Sequence, residues 1–385
     1  MTISVQQSTE NTNGCGSYTP CEPLANVKTI LVTGGAGFIG GWFIRHLLCT
    51  YGGRYTVICY DSLSYCASLL NISPLLHLPN FHFITGSISD LAAVESLFRT
   101  HKIDAVLHFA ANSHVDNSFE DPLSFTETNV LGTHVLLETA RRLGDVKRFV
   151  HVSTDEVYGE NDARDGLGFE ESDPLNPSNP YSASKAAAEM IALAYKESFQ
   201  MPIIVTRCNN VFGPHQYPEK LIPRFATLLL ANEKLTLHGR GTTTRSFLHA
   251  SDAATAFDII LHRGLPNETY NISSRNALQV REVGHKILCF FGRRSKKAQE
   301  PFVEMVQDRV RNDRMYLTDC EKLRGLGWEE KMGFEEGLEG TLEWYCQFGS
   351  TFWGENKEKV GLDTKTIVDG EASDGSPGDA EDCSS

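Results

Sequence analysis

The stretch Thr29-Ile30-Leu31-Val32-Thr33-Gly34-Gly35-Ala36-Gly37-Phe38-Ile39-Gly40 decides the fold. Its first part is a short apolar run without alternation, the pattern of a strand buried on both faces. The run enters three glycines spaced G-x-x-G-x-x-G, and the spacing predicts a turn and then a helix. Gly34 permits the tight turn. Gly37 lets backbone approach a pyrophosphate, and Gly40 lets helix and strand pack closely. The new helix presents free N–H groups and a partial positive charge. Phe38 and Ile39 belong to the same turn.

Outward from this turn the rhythm repeats. Apolar runs at 55–60, 81–84, 105–109, 149–152 and 203–206 have strand length and strand composition. Amphipathic stretches such as Thr126 to Leu143 and Tyr181 to Phe199 separate most of them. Strand alternating with helix predicts an α/β, Rossmann-like, doubly wound parallel sheet. After Asn210 the rhythm is irregular, which predicts a smaller C-terminal substrate-binding lobe. The expected division is a tail at 1–26, a dinucleotide-binding domain at 27–210, a lobe over most of 211–350 with some segments returning to the sheet, and an acidic tail at 357–385. Both tails are polar and lack a hydrophobic period.

The 385 residues are 41% hydrophobic and carry a net charge of −14. Such an acidic surface repels phosphate backbones, so nucleic acid is not an expected partner. No apolar run reaches membrane-spanning length, and residues 1–23 lack a signal-peptide core. Ten cysteines contain no C-x-x-C pair, which argues against a metal site and for reduced thiols in the cytoplasm.

The second strand ends at Asp61, about twenty residues past Gly40. A carboxylate there accepts hydrogen bonds from a ribose diol and repels a 2′-phosphate, so NAD is expected rather than NADP. Ser62 and Leu63 follow it.

The fifth strand ends in Ser153-Thr154-Asp155-Glu156-Val157-Tyr158-Gly159, and Tyr181-Ser182-Ala183-Ser184-Lys185 opens a helix. Tyr181 and Lys185, four residues apart, share one helical face. A free tyrosine, with a pKa near ~10, is a poor base. An ammonium and an oxidised nicotinamide beside it would lower that value.

The chain resembles the extended short-chain dehydrogenase/reductases and, among them, the dTDP-glucose 4,6-dehydratases, from about Lys28 to Tyr345. The resemblance rests on V-S-T-D-E-V-Y-G (152–159), P-Y-S-A-S-K-A (180–186), N-N-V-F-G-P (209–214), P-E-K-L-I-P (218–223) and D-R-x-x-N-D-R (308–314). It implies oxidation at C4 of a nucleotide-diphosphate glucose, elimination of water across C5 and C6, and reduction at C6. Tyr181 would take the C4 hydroxyl proton, with Lys185 beside it and Thr154 on the C4 oxygen. Glu156 would remove the C5 proton, and Asp155 would protonate the departing C6 hydroxyl. For that task its pKa must be raised, by burial and Glu156, with Lys185 opposing if close.

The resemblance also implies cofactor contacts at Ser87, Ile88, Phe109, Ala110, Ala111, Thr128 and Asn210. Substrate contacts are implied at Ser113, Asn209, Lys220, Leu221, Arg245 and Arg309. A homodimer with a four-helix interface is expected by analogy. His114 is expected to be a hydrogen-bonded structural histidine. Ser87 stands where the family usually has an aspartate facing adenine, Thr236-Leu237-His238 where it has Pro-x-Tyr, and Asp308-Arg309-Val310-Arg311-Asn312 where it has D-R-P-G-H. These departures leave thymidine and uridine both open. The rival readings are another nucleotide-sugar epimerase or decarboxylase, which needs no Asp155-Glu156 pair, and a catalytically idle regulator that binds NAD or a nucleotide sugar.

Overall fold

The computed structural model describes residues 18–160, 168–307 and 314–354. Seven strands form the central sheet: β1 (Thr29–Thr33), β2 (Thr56–Asp61), β3 (Phe81–Thr85), β4 (Ala105–His108), β5 (Arg148–Thr154), β6 (Ile203–Cys208) and, from later in the chain, β10 (Thr269–Ile272). Between β6 and β10 come β7 (Asn210–Phe212), β8 (Leu235–His238) and β9 (Thr244–His249), with β11 (Ala277–Gln279) and β12 (Val303–Val306) following. The sheet order is β10-β6-β5-β4-β1-β2-β3, and every neighbouring pair is parallel. The order reverses at β1, between β4 and β2, which opens a crevice at the carboxyl ends of those strands.

Both faces of the sheet are covered, which is why its strands are apolar without alternation. Ile30, Val32, Val57 and Leu107 point to one face. They pack under helices Phe38–Tyr51 and Ala250–Arg263 through Phe43, Leu47, Phe257 and Ile260. Leu31, Ile58, Val106 and Phe149 point to the other. They meet Leu97, Leu136 and Tyr195 from helices Leu91–Thr100, Gly132–Leu143 and Pro180–Phe199. A third core, with Phe225, Leu229, Leu235, Phe247 and Leu338, lies under β7–β9–β11 and the β8–β12 pair.

Two expectations are refined. The helix expected over 126–143 is present, but Thr126–Leu131 is wound as a wider π-helix and regular α-helix begins at Gly132. Of the segments past 210, β10 is the edge strand of the main sheet and helix Ala250–Arg263 covers its face. The N-terminal tail is also shorter than 26 residues. Cys21 is buried, and the Tyr18 hydroxyl donates to Asp258 at 2.7 Å. Residues 1–17 and 357–385 of the expected tails lie outside the described residues.

The segment around Tyr18 holds because Asp258 is a buried acceptor for several donors. His46 Nε2 lies 2.8 Å from it, His262 Nδ1 2.7 Å, and the Tyr51 hydroxyl 3.1 Å. Burial raises the Asp258 carboxyl, but the two histidine hydrogen bonds outweigh it and hold the group well below the usual carboxylate range. A depressed folded pKa stabilises the fold above the unfolded value, and that stability disappears as pH falls through the folded value. Asp258→Ala is therefore expected to cost about 3 kcal/mol in urea unfolding at neutral pH. The difference from wild type should shrink in acid, below about pH 4.

Candidate active site

The glycine turn closes onto β4. Gly34 has φ +69°, and a Cβ there would lie 2.6 Å from the Ala110 nitrogen. A Cβ on Gly40 would lie 2.4 Å from the Gly34 carbonyl oxygen. Only glycine permits either approach, so the expected reading of these two positions is geometric fact. Helix Phe38–Tyr51 begins at Gly37 with no side-chain cap, leaving its first N–H groups toward the crevice.

A cavity of about 430 Å³ fills this crevice. It brings together Gly34, Gly37, Phe38, Ile39, Gly40, Asp61, Ser62, Ser87, Ile88, Phe109, Ala110, Ala111 and Thr128 with Ser113, Thr154, Asp155, Glu156, Tyr181, Lys185, Asn209, Asn210, Lys220 and Leu221. A second cavity, of about 200 Å³, shares Ser113, Glu156, Asn210, Lys220 and Leu221 with it and is further lined by Arg224, His238, Arg245 and Tyr316. Leu63 lines neither cavity: its side chain packs on the first core, and its N–H donates to Asp61 at 2.8 Å. Arg309 lies outside the described residues.

Asp61 is held from two sides, by Leu63 N–H on Oδ1 and Ala36 N–H at 3.0 Å on Oδ2. Burial raises its pKa, against these backbone donors. Ser87 pairs with Ser89 Oγ at 2.9 Å, so two hydroxyls stand where the resembled family usually has an aspartate. Tyr60 fills the space beneath Gly86 and donates to the Ser87 carbonyl, a support that strand reading alone does not reveal.

At the end of β5 the chain turns through one tight helical turn, Asp155–Tyr158, capped by Thr154, whose Oγ1 accepts from Glu156 N–H at 3.3 Å. This turn puts Asp155 inward. Burial first and the Glu156 charge second push its pKa up to about 8, against Arg245 and a hydrogen bond from Thr154. The opposing cation is Arg245 rather than the expected Lys185. Thr154 Oγ1 donates to Asp155 Oδ1 at 3.3 Å, while Oδ2 has no hydrogen-bond partner. Glu156 Oε2 accepts from Asn179 Nδ2 at 3.4 Å.

Tyr181 and Lys185 enter on the first turns of helix Pro180–Phe199, which a reciprocal Asn179–Ser182 capping pair fixes. Lys185 Nζ donates to the Val152 carbonyl at 2.5 Å, and burial lowers its pKa to about 8. In the protein alone, burial and the Glu156 charge raise Tyr181 above its ordinary value, against a Thr154 hydrogen bond. The expected lowering by Lys185 is therefore not present in the chain by itself, because the ammonium is directed at backbone.

Helix Pro180–Phe199 is also anchored from the π-type turn. Asn129 accepts from Asn112 N–H at 2.8 Å and donates to Ser184 Oγ at 2.9 Å, and Ser184 donates to the Tyr181 carbonyl at 2.7 Å. Sequence reading missed Asn129, since a buried asparagine inside an apparent helix gives no periodic signal. Among the basic candidates, Lys220 donates to the Ser113 carbonyl at 2.8 Å, and the Arg245 guanidinium lies over the Tyr316 ring at 4.7 Å. His114 is hydrogen-bonded to Asn117 at 2.8 Å, as expected of a structural histidine.

This geometry has relatives. Residues 31–341 match the family model described as GDP-mannose 4,6 dehydratase. The chain belongs to this family. It is 45% identical to the dTDP-D-glucose 4,6-dehydratase of Homo sapiens, over 84% of this chain and 91% of that one. It is 44% identical to a trifunctional enzyme of Arabidopsis thaliana that includes UDP-glucose 4,6-dehydratase, over 88% of this chain and 49% of that one. The chain thus spans about half the length of this plant relative. Among solved structures, the dTDP-glucose 4,6-dehydratase of Streptomyces venezuelae with NAD and TYD bound superposes with a TM-score of 0.78 at 40% identity, over 83% of this chain and 98% of that one.

Asp155 carries a sign that can be checked. Its folded pKa is raised, so between about pH 4 and its folded value the native state holds a proton the unfolded chain has lost. Stability falls as pH rises through that window. Asp155→Asn removes the penalty, so the variant is expected to be more stable than wild type by about 1 kcal/mol or more near pH 8, and level with it at pH 4, in denaturant titrations.

Proposed function

We propose that this family member is an NAD-dependent nucleotide-sugar 4,6-dehydratase, a hydro-lyase that converts dTDP-glucose or UDP-glucose to the 4-keto-6-deoxy sugar nucleotide and water. The observation that carries this reading is Asp155, a buried carboxyl held in its acid form beside Glu156 in the cavity that also holds Tyr181 and Lys185. A 4-epimerase or an idle binding protein has no use for such an acid.

The crevice fits NAD. The glycine turn packs so tightly that backbone alone lines it, and uncapped N–H groups face a diphosphate. The Asp61 carboxylate faces a ribose diol. Phe38, Ile39, Ser62, Ser87, Ile88, residues 109–111, Thr128 and Asn210 would complete the contacts. When bound, NAD accepts a hydride from C4 and returns it to C6.

The chain's own residues then divide the proton chemistry. Tyr181 takes the C4 hydroxyl proton, and Thr154 hydrogen-bonds the C4 oxygen. The new ketone acidifies the C5 hydrogen, which Glu156 removes. Asp155 protonates the C6 oxygen as it leaves. Ser113 and Asn209 meet the sugar. Lys220, Arg245 and, beyond the described residues, Arg309 face the diphosphate with charge-assisted donors. Residues 27–210 form the cofactor domain in this reading, and most of 211–350 the substrate lobe.

We further propose a cytoplasmic homodimer. Phe119, Leu123, Leu131 and Met190 are exposed on or beside the two helices expected to pair. Eight free cysteines among the described residues suit a reducing compartment. Among those residues no helix is long and apolar enough to cross a membrane.

Incubation with dTDP-glucose or UDP-glucose and NAD, followed at C6 by NMR, is expected to convert the hydroxymethyl into a methyl; an intact C6 with both sugars rejects the reading. Glu156→Gln is expected to lose about 10²-fold or more in turnover while still forming bound NADH, seen by absorbance. Because the acid form of Asp155 is required, kcat should fall as pH rises through about 8. That limb should be absent from the residual activity of Asp155→Asn.

A further inference from the structure

The dehydratase reading leaves one proton in the wrong place. In a turnover the C4 hydroxyl proton passes to the Tyr181 phenolate. The C4 hydrogen leaves as hydride and ends on C6. The C5 proton goes to Glu156 and returns to C5 as the C6 centre is reduced. The C6–O bond breaks with its electron pair on oxygen, and Asp155 supplies the proton that makes water. Glu156 and the cofactor end as they began. Tyr181 ends with one proton too many, and Asp155 with one too few.

The structure shows what lies between them. The Thr154 hydroxyl lies beside Tyr181 in the same cavity, where it acts to lower the phenol's pKa, and it donates to Asp155 Oδ1 at 3.3 Å. All three side chains are buried: Thr154 is 6% exposed, Asp155 2% and Tyr181 8%. Thr154 Oγ1 also accepts from Glu156 N–H, which fixes the hydroxyl at the head of the Asp155–Tyr158 turn. A hydroxyl both accepts and donates, so it passes a proton without holding a charge.

We propose that Thr154 is a proton wire that resets the site after each turnover, carrying the surplus proton of Tyr181 directly to Asp155. This rests on the dehydratase reading and deepens it. The Tyr181 hydroxyl gives its proton to Thr154 Oγ1, and the hydroxyl proton of Thr154 passes to Asp155 Oδ1. Tyr181 is again a phenolate and Asp155 again an acid. Atoms and charge balance with no outside donor. A half-turn of the carboxyl about Cβ–Cγ exchanges the reloaded oxygen with Oδ2, which has no hydrogen-bond partner in the protein. Beside an oxidised nicotinamide the phenolate is favoured, so the proton leaves Tyr181 once the hydride has been returned to C6.

The wire separates the first turnover from later ones. Purified holoenzyme as wild type, Thr154→Val and Thr154→Ser is mixed with an excess of the sugar nucleotide that wild type converts, and product is counted by rapid quench. Thr154→Val is expected to give a burst of one product per site and then a steady rate at least about tenfold slower than the burst. Wild type and Thr154→Ser should show no burst. Infrared difference spectra should show the Asp155 acid band, assigned with Asp155→Asn, lost after the first turnover of the valine variant and recovered promptly in wild type. If the valine variant fails to fold, Thr154→Ala makes the same comparison. Product that accumulates linearly from the first turnover, slowed equally throughout, overturns the wire and leaves Thr154 acting on the C4 oxygen alone. Wild type that leaves C6 intact overturns the dehydratase reading, and the wire with it.

Discussion

The approach of two backbones at the ends of β1 and β4 is the constraint on which the rest of the structure depends. Gly34 must lie against Ala110, and Gly40 against Gly34, at distances no side chain permits. That contact draws the start of helix Phe38–Tyr51 over the sheet and leaves its N–H groups facing the crevice. The crevice exists because strand order reverses there, with β2 on one side of β1 and β4 on the other. Strand β5 lies next to β4, so its carboxyl end delivers Thr154, Asp155 and Glu156 to the same opening. Cofactor geometry and acid–base geometry thus follow from one packing requirement.

Much of this was legible in the sequence because each feature has a local cause. Strands covered on both faces are mostly apolar without alternation, so their runs located all six early strands within about two residues. The Tyr181–Lys185 spacing defines a helix and its inward face together. The Asp155-Glu156 pair follows a buried strand end, where this topology opens onto a ligand crevice. Local pattern and global fold agree at these positions.

What was not legible depends on partners far apart in the chain. Asp258 collects Tyr18, His46, Tyr51 and His262, and no local pattern marks Tyr18 as more than part of a polar tail. The π-type turn at Thr126–Leu131 preserves an apparently helical composition while turning Asn129 toward Asn112 and Ser184. The cation acting on Asp155 is Arg245, from β9, although Lys185 is the nearer in sequence. Leu63 adjoins Asp61, with its side chain packed on the core and its N–H on the Asp61 carboxylate.

Burial at the end of β5 has two consequences that pull against each other. It favours the acid form of Asp155, as the proposed elimination at C6 needs, and it also raises Tyr181, which the proposed oxidation at C4 needs as a phenolate. A site that excluded water merely to make an acid would disable its own base. In the proposed cycle a positive charge beside Tyr181 relieves the opposition, because it lowers the phenol's pKa while Asp155 stays protonated. Before oxidation the pair holds one proton, on Asp155. Oxidation adds the substrate's proton to Tyr181, so both groups are protonated when the C6 oxygen leaves. Elimination removes the Asp155 proton, and the one left on Tyr181 returns to Asp155 through Thr154, which donates to Asp155 Oδ1, once the nicotinamide is oxidised again.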